Sequence, residues 1–256
     1  MKALELNPQE RIPLLKLQTH HSERERVLPV GAAQTHPRNQ SAGQENASIY
    51  FIGTATTVLE WSGIRILTDP NFLHAGDHVH LGPGVTAERL TNPAVDIDKL
   101  PPLDCILLSH YHEDHFDRLV EDSLDRQFPI ISTPHAKKHL TSKPEPFQAV
   151  HDLDFFESML LPIAPPPPPG SQQQNRKAVV RVTGMPGKHV PPGPLNVANE
   201  ILGAVPPTNG WLLELGYIDD APAADVQVGY RICISGGHVV RGRTERDPQE
   251  TERRKD

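Results

Sequence analysis

"CILLSHYHEDHFD", residues 105–117, passes from an aliphatic run straight into three histidines and three acidic residues between His110 and Asp117. The run "CILL" is short and continuously apolar, as expected of a strand buried on both faces. It delivers His110 at the strand's C-terminal end, and the helical spacing of "HFDRLVEDSL" starts a helix near Asp117. Loops at strand ends are where sites are built. One residue separates His110 from His112, so an extended backbone turns both imidazoles to the same side, where they can share one ion. Asp114 and His115 fall past the bend and point towards a second ion. The chain has 14 histidines, but the ordered pattern H-x-H-x-D-H behind an aliphatic strand is far more restrictive than a count. It reads as half of a metal site rather than a solvated polar turn.

The length of 256 residues allows one sizeable core. The 27 prolines are about twice the usual share near 5%, so long irregular connections are expected. A formal charge of −7 argues against a surface that holds nucleic acid by phosphate contacts. Cys105 and Cys233 each sit inside an aliphatic run and read as buried thiols of a reduced compartment. The N-terminal "MKALELNPQERIPLLKLQ" lacks the apolar core of a signal peptide, and no run of about 18 apolar residues could span a bilayer. The expectation is a cytoplasmic protein without a transmembrane segment; oligomeric state is unreadable.

Three parts follow from the pattern. Residues 1–47 mix both charges with Gln, Asn, Ser and Pro around one short apolar cluster, "IPLLKL", and read as a disordered arm, with docking of the cluster as a short helix the alternative. Residues 48–240 form the domain. It opens as a β-meander, "SIYFIG", "TTVLEW" and "IRILTDP", with Ser62–Gly63 as a turn, and continues through "CILLSH", "FPIISTP", "AVVRVTGMP", "GWLLELG" and "GYRICIS". "HFDRLVEDSL" and "PHAKKHL" have helical spacing. A proline-rich insertion near 162–176 reads as a stiff surface excursion. Residues 241–256 are a charged tail with no apolar residue, expected to be disordered. Several strands are too continuously apolar for half-exposure, which favours a layered α/β sandwich over an all-β barrel.

These residues resemble the metallo-β-lactamase superfamily, whose signature is H-x-H-x-D-H after a core strand. "IYFIGTATTVLEWSGIRILTDP" is similar to that fold's opening hairpins, ending in Asp69, which the resemblance places behind the site. "VTGMPGKHVPPGP" resembles the segment that supplies the third metal histidine, here His189. The wording of these stretches, with "GDHVHLGPGV" and "GAVPPTNGWLLELG", is most similar to N-acyl-phosphatidylethanolamine phospholipase D-like and ascorbate-phosphate lactonase-like proteins. The resemblance covers residues 48–236 and implies a four-layer αββα sandwich with a two-metal site along one edge. It implies that His110, His112 and His189 bind the first ion, and Asp114 and His115 the second. Zinc suits this donor set, with iron or manganese open as alternatives. Two such ions about 3.5 to 4 Å apart would generate a hydroxide nucleophile at neutral pH, which Asp114 would orient. The expected reaction is hydrolysis of a phosphodiester, lactone or other ester of a small or lipid-like molecule.

The resemblance breaks after "GYRICIS". The family pattern continues Ser-Gly-Asp-Thr, its aspartate bridging both ions, whereas Ser235 and Gly236 are followed here by Gly237 and His238. The helices, strands and final histidine that the family then carries give way to the charged tail. One event, such as a retained intron, a frameshift or an alternative exon end, accounts for both losses. The expectation is a C-terminally truncated relative with an incomplete second half, whose alternative function is that of an impaired member binding at most one metal.

Other candidates are weaker. His74, His78 and His80 in "FLHAGDHVHLGPG" either line the substrate mouth or sit on a plain surface loop. Lys188, beside His189, reads as a solvated lysine, and Trp61 and Trp211 as core residues. Ser109 has no separate base arrangement, which argues against a serine hydrolase, and "FIGTATT" has too few glycines to cradle a phosphate.

Overall fold

The computed structural model describes residues 2–17, 26–29, 47–82, 84–164, 176–187, 205–219 and 225–235. In chain order the elements are β1 (Lys2–Ala3), β2 (Ala47–Gly53), β3 (Thr56–Trp61), β4 (Ile64–Thr68), β5 (His78–Gly82), β6 (Val85–Glu88), β7 (Cys105–Leu107), α1 (Arg118–Ser123), β8 (Ile130–Ser132), α2 (Pro134–Thr141), β9 (Val150–Asp152), β10 (Ser158–Pro162), β11 (Arg176–Pro186), β12 (Asn209–Asp219) and β13 (Gln227–Ile234). One sheet runs β2-β3-β4-β7-β8-β9, a second runs β1-β10-β11-β12-β13, and β5 with β6 forms a separate hairpin. The expected α/β sandwich is present.

The first sheet opens antiparallel through β4 and continues parallel from β4 to β7, β8 and β9. Parallel neighbours need crossovers, and here α1 and α2 occupy two of them. The hairpin between β3 and β4 turns at Ser62 (φ 50°) and Gly63 (φ 84°), the paired left-handed conformation that matches strand twist in a two-residue loop.

Successive residues of these strands enter two different cores. Leu59, Ile66, Cys105 and Leu107 face the second sheet, packing with Leu161, Val180, Val182, Trp211 and Leu213. Val58, Leu67 and Ile106 face the other way, against Val120, Ala136, Leu140 and Phe128 around the two helices. Both faces being covered is the physical reason "CILL" has no polar alternation. Trp61 and Trp211 lie in the inter-sheet core, as expected.

The far face of the second sheet carries a charged cluster beside the buried Val179. Arg181, Glu214 and Arg231 are register neighbours on β11, β12 and β13. Nε of Arg181 donates to Oε2 of Glu214 at 2.6 Å, and Nε of Arg231 to Oε1 at 2.9 Å. The two described helices pack on the outer face of the first sheet. The edge strands β2 and β13 carry exposed Ile49, Phe51 and Tyr230.

Two expectations need correction. Residues 2–17, placed by composition in a disordered arm, are packed. Lys2–Ala3 pairs in parallel with Met159–Leu160, and the N–H groups of Leu4 and Leu6 donate to the carbonyls of Leu160 and Pro162, each at 2.9 Å. Leu6 joins the inter-sheet core and Leu14 the helix-side core. Arg11 adds a two-pronged pairing to the buried Asp104, at 3.0 and 2.9 Å. Backbone pairing to a sheet edge is blind to composition, so a polar-looking segment with a few well-spaced leucines can join a fold. The second correction concerns Cys233, which is exposed on the edge strand β13; Cys105 is buried, and burial pushes its thiol pKa up. The proline-rich segment's residues 165–175 and the charged tail lie outside the described residues.

Leu6→Ala and Leu14→Ala should each lower the unfolding free energy by about 2 to 4 kcal/mol in urea denaturation, as deletions of packed leucines do. A loss below about 0.5 kcal/mol for both would mean that the segment is not packed.

Candidate metal centre

The chain leaves β4 through Asp69, which sits in the left-handed region (φ 35°) that aspartate tolerates better than most residues. This conformation is pinned at several points. The Asp69 N–H donates to the carbonyl of Leu107 at 3.1 Å, and its own carbonyl accepts from the Thr56 hydroxyl at 2.6 Å. The carboxylate is only 1% exposed. Its Oδ1 accepts from the N–H of Ser109 at 2.7 Å, and its Oδ2 lies 3.0 Å from Nδ1 of His115. Asp69 therefore supports the motif from behind.

The motif loop is held equally firmly. Asp117 caps α1, accepting from the N–H of Val120 at 2.8 Å, and its other oxygen accepts from the N–H of Phe72 at 2.7 Å. The side-chain amide of Asn71 donates to the carbonyl of Glu113 at 3.0 Å. Asp117, the last acid of the opening stretch, is thus a capping and tethering group rather than a ligand.

Three of the expected ligands converge. Single donor atoms of His110, His112 and Asp114 all lie within 4.8 Å of one another. His110 is fully buried, and its Nδ1 lies 2.9 Å from the Ser109 hydroxyl and 3.2 Å from the Thr208 hydroxyl. With Nδ1 engaged, a metal would bind through Nε2. His112 meets Asp114 through Nδ1 and Oδ1. His115, turned by Asp69, brings Nε2 to 3.8 Å from Oδ2 of Asp114. The rings of His110 and His115 also lie together, with centroids 4.2 Å apart, against 5.9 Å for His110 and His112. His189 and His238 lie outside the described residues.

The electrostatics match this layout. Burial works to raise the pKa of Asp114, but the hydrogen bond from His112 and the positive charge of the three histidines bring it down to about 2. Burial opposes the charged form of His115, yet the hydrogen bond and charge of Asp69, joined by the charge of Asp114, raise its pKa above the ordinary 6.5. Two imidazoles and a carboxylate, with the His110 ring oriented by two hydroxyls, fit a divalent cation that accepts nitrogen and oxygen donors.

The same geometry explains why Ser109 is not a nucleophile. Its hydroxyl is fully buried and lies 3.3 Å from Nδ1 of His115, the nitrogen that already faces Asp69. A serine relay needs the two different ring nitrogens. Ser109 and Thr208 instead orient His110. The sequence reading missed both roles: Thr208 is 98 residues from His110, and no local pattern reports that separation. The Asn209 N–H donates to the carbonyl of Ser109 at 3.0 Å, which ties the start of β12 to the site.

A cavity of about 600 Å³ opens beside Asp114 and His115, a size suited to a small-molecule ligand. One wall is the β5–β6 hairpin, tied to the motif loop by the His80 N–H, which donates to Oε2 of Glu113 at 3.1 Å. Val79, Leu81 and Ala87 line that wall. His78 and His80 are exposed, and His74 lies 2.9 Å from Asp96. The hairpin borders the cavity through its alternate apolar residues, not its histidines. Arg89 also lines it and was not singled out from the sequence. Lys188 lies outside the described residues.

The family model described as "Beta-lactamase superfamily domain" matches residues 48–199, more than half of the chain. The protein belongs to that superfamily, in agreement with the resemblance carried by its motif. An uncharacterised protein of Mycobacterium tuberculosis (strain H37Rv) is 27% identical over 150 residues, covering 58% of this chain and 39% of the relative. The mitochondrial N-acyl-phosphatidylethanolamine-hydrolyzing phospholipase D of Saccharomyces cerevisiae is 39% identical over 94 residues, covering 36% of this chain and 19% of the relative. The chain thus spans well under half the length of these relatives. Among solved structures, a possible metal-dependent hydrolase from Veillonella parvula aligns with a TM-score of 0.49 at 20% identity, covering 75% of this chain and 63% of that one. An isothiocyanate hydrolase from Delia radicum gut bacteria aligns with a TM-score of 0.45 at 18% identity, covering 70% and 62%. No helix among the described residues is long and apolar enough to cross a membrane.

Two outcomes test Asp69 and the proton on His115. Asp69→Asn keeps the size and removes the charge, and should weaken zinc binding about 10- to 100-fold in competition with a chromogenic chelator. Because the metal-free pKa of His115 is raised, its pairing with Asp69 stabilises the metal-free fold fully below about pH 6.5, an advantage lost as pH rises through the raised value. A metal held by His115 would run the opposite way, since it would have to displace that proton. If His115 is a ligand, zinc affinity should therefore climb as pH rises and level off above the His115 pKa, with the midpoint moved to lower pH in Asp69→Asn. An unmoved midpoint would mean that Asp69 does not control His115.

Proposed function

We propose that the protein is a metal-dependent hydrolase acting on a phosphodiester, lactone or other ester of a small or lipid-like molecule. The observation that carries this reading is the convergence of His110, His112 and Asp114 beside a cavity of ligand size. His115, with Asp114, is the proposed approach to a second ion, and His189 is the proposed further ligand of the first. Zinc is the proposed metal, with iron or manganese as alternatives. A divalent ion in this position would lower the pKa of a water towards 7 and polarise the bond to be cut.

The chain's own groups divide the remaining work. Asp114, its pKa held down to about 2, stays ionised at every physiological pH and can accept a hydrogen bond from the attacking water, orienting it. Asp69 holds His115, while Ser109 and Thr208 hold His110, so the donors are set before a ligand arrives. Val79, Leu81 and Ala87 offer an apolar wall to the non-reacting part of a substrate. The −7 charge remains an argument against nucleic acid as that substrate.

A second reading is an impaired relative that binds at most one ion. It is favoured by one observation: Gly237 and His238 stand where the family pattern carries Asp-Thr. A bridging carboxylate offsets the charge of two dications, and its absence weakens the pair as a unit.

Turnover of bis(4-nitrophenyl) phosphate and of 4-nitrophenyl acetate separates the readings. The hydrolase reading expects turnover of at least one, reduced about 100-fold or more by a chelator and by His112→Ala, and restored by metal only in the wild type. Folded, metal-loaded protein with no turnover would favour the impaired relative. Turnover indifferent to both treatments would contradict the metal mechanism.

A further inference from the structure

Arg89 follows β6 and is 8% exposed, yet its Nε and Nη2 are buried with no hydrogen-bond partner. A guanidinium does not relieve this by losing a proton, because arginine stays charged at any pH a protein experiences. Buried charges are ordinarily paired. The carboxylates that share its cavity are committed or turned elsewhere: Asp69 to Ser109 and His115, Asp114 to His112, with Glu88 exposed.

The backbone holds Arg89 in place. Its N–H donates to the carbonyl of Asp77 at 2.8 Å, and its carbonyl accepts from the N–H of Gly76 at 2.9 Å. The guanidinium lies against Gly53, where an added Cβ would be 3.6 Å from Nη2. Arg89 lines the same cavity as Asp114 and His115 and the hairpin's Val79, Leu81 and Ala87. A fixed, planar, permanently charged donor fork is suited to two oxygens of one anion.

We propose that Arg89 binds an oxyanion of the substrate, a phosphoryl or carboxyl group, within the cavity, and so selects anionic substrates. The inference rests on the hydrolase reading for the word substrate, but the anion site itself does not. Arg89 is a specificity residue in this account, outside the set of proposed metal ligands.

The test is binding of inorganic phosphate to the full chain, followed by calorimetry or phosphorus NMR, on protein as purified and after chelation. Parallel titrations with dimethyl phosphate and acetate distinguish a phosphoryl from a carboxyl preference. Saturable binding of at least one of these anions is expected in both metal states. Arg89→Gln should weaken it at least tenfold in both, with Arg89→Lys intermediate. Absence of anion binding to the wild type in both states would overturn the proposal without any variant. Binding that disappears with the metal and is unchanged in a folded Arg89→Gln would overturn it too, by assigning the anion to the metal alone. Anion binding that persists in a chain found to hold no metal would leave this site standing and remove the hydrolase reading, so the two fail separately.

Discussion

One buried carboxylate carries the structure of this site. Asp69 stands where β4 ends, in a backbone conformation unusual for a residue with a side chain, and is almost wholly removed from water. A buried charge of this kind persists only if hydrogen-bonded. The partners it has are the N–H of Ser109, the residue before His110, and the ring of His115. The same residue therefore anchors the start of the motif loop and sets which nitrogen of His115 faces inward. The antiparallel opening of the sheet and the parallel pairing of β4 with β7 bring residues 40 and 46 positions apart into contact at Asp69.

Around that anchor the histidines are fixed by different chemistry. His110 is held by two hydroxyls, one next to it in sequence and one at the start of β12. The second sheet thus takes part in the site through Thr208 and through the Asn209 backbone bond to Ser109. His112 and Asp114 are partly exposed and face each other, while Asp69, Asp114 and His115 line the cavity.

Much of this was legible in the sequence because it is local. H-x-H-x-D-H, the aliphatic strand before it and the "SG" turn each depend on a few adjacent residues. The two-sided burial of β7 follows from "CILL" lacking alternation, and the resemblance supplied Asp69. What escaped is what the fold brings together from afar. Thr208 on His110 and Arg89 in the cavity wall have no local signature. The packing of residues 2–17 escaped because backbone pairing carries little composition signal. Cys233 was misjudged for a related reason: an aliphatic run on an edge strand has one face open, and a run alone does not say which strand is at the edge. For His78 and His80 the sequence left two readings open, and alternation on β5 decides between them by turning Val79 and Leu81, not the more conspicuous histidines, to the cavity.

The central claim is that His110, His112 and Asp114 form a metal centre, and metal content per folded chain tests it most directly. Elemental mass spectrometry on purified, zinc-equilibrated and desalted protein should find about one or two ions per chain. A folded His110→Ala/Asp114→Ala variant should lose at least one of them. A folded wild type that retains no stoichiometric metal, or a folded double variant that retains as much as the wild type, would contradict the account.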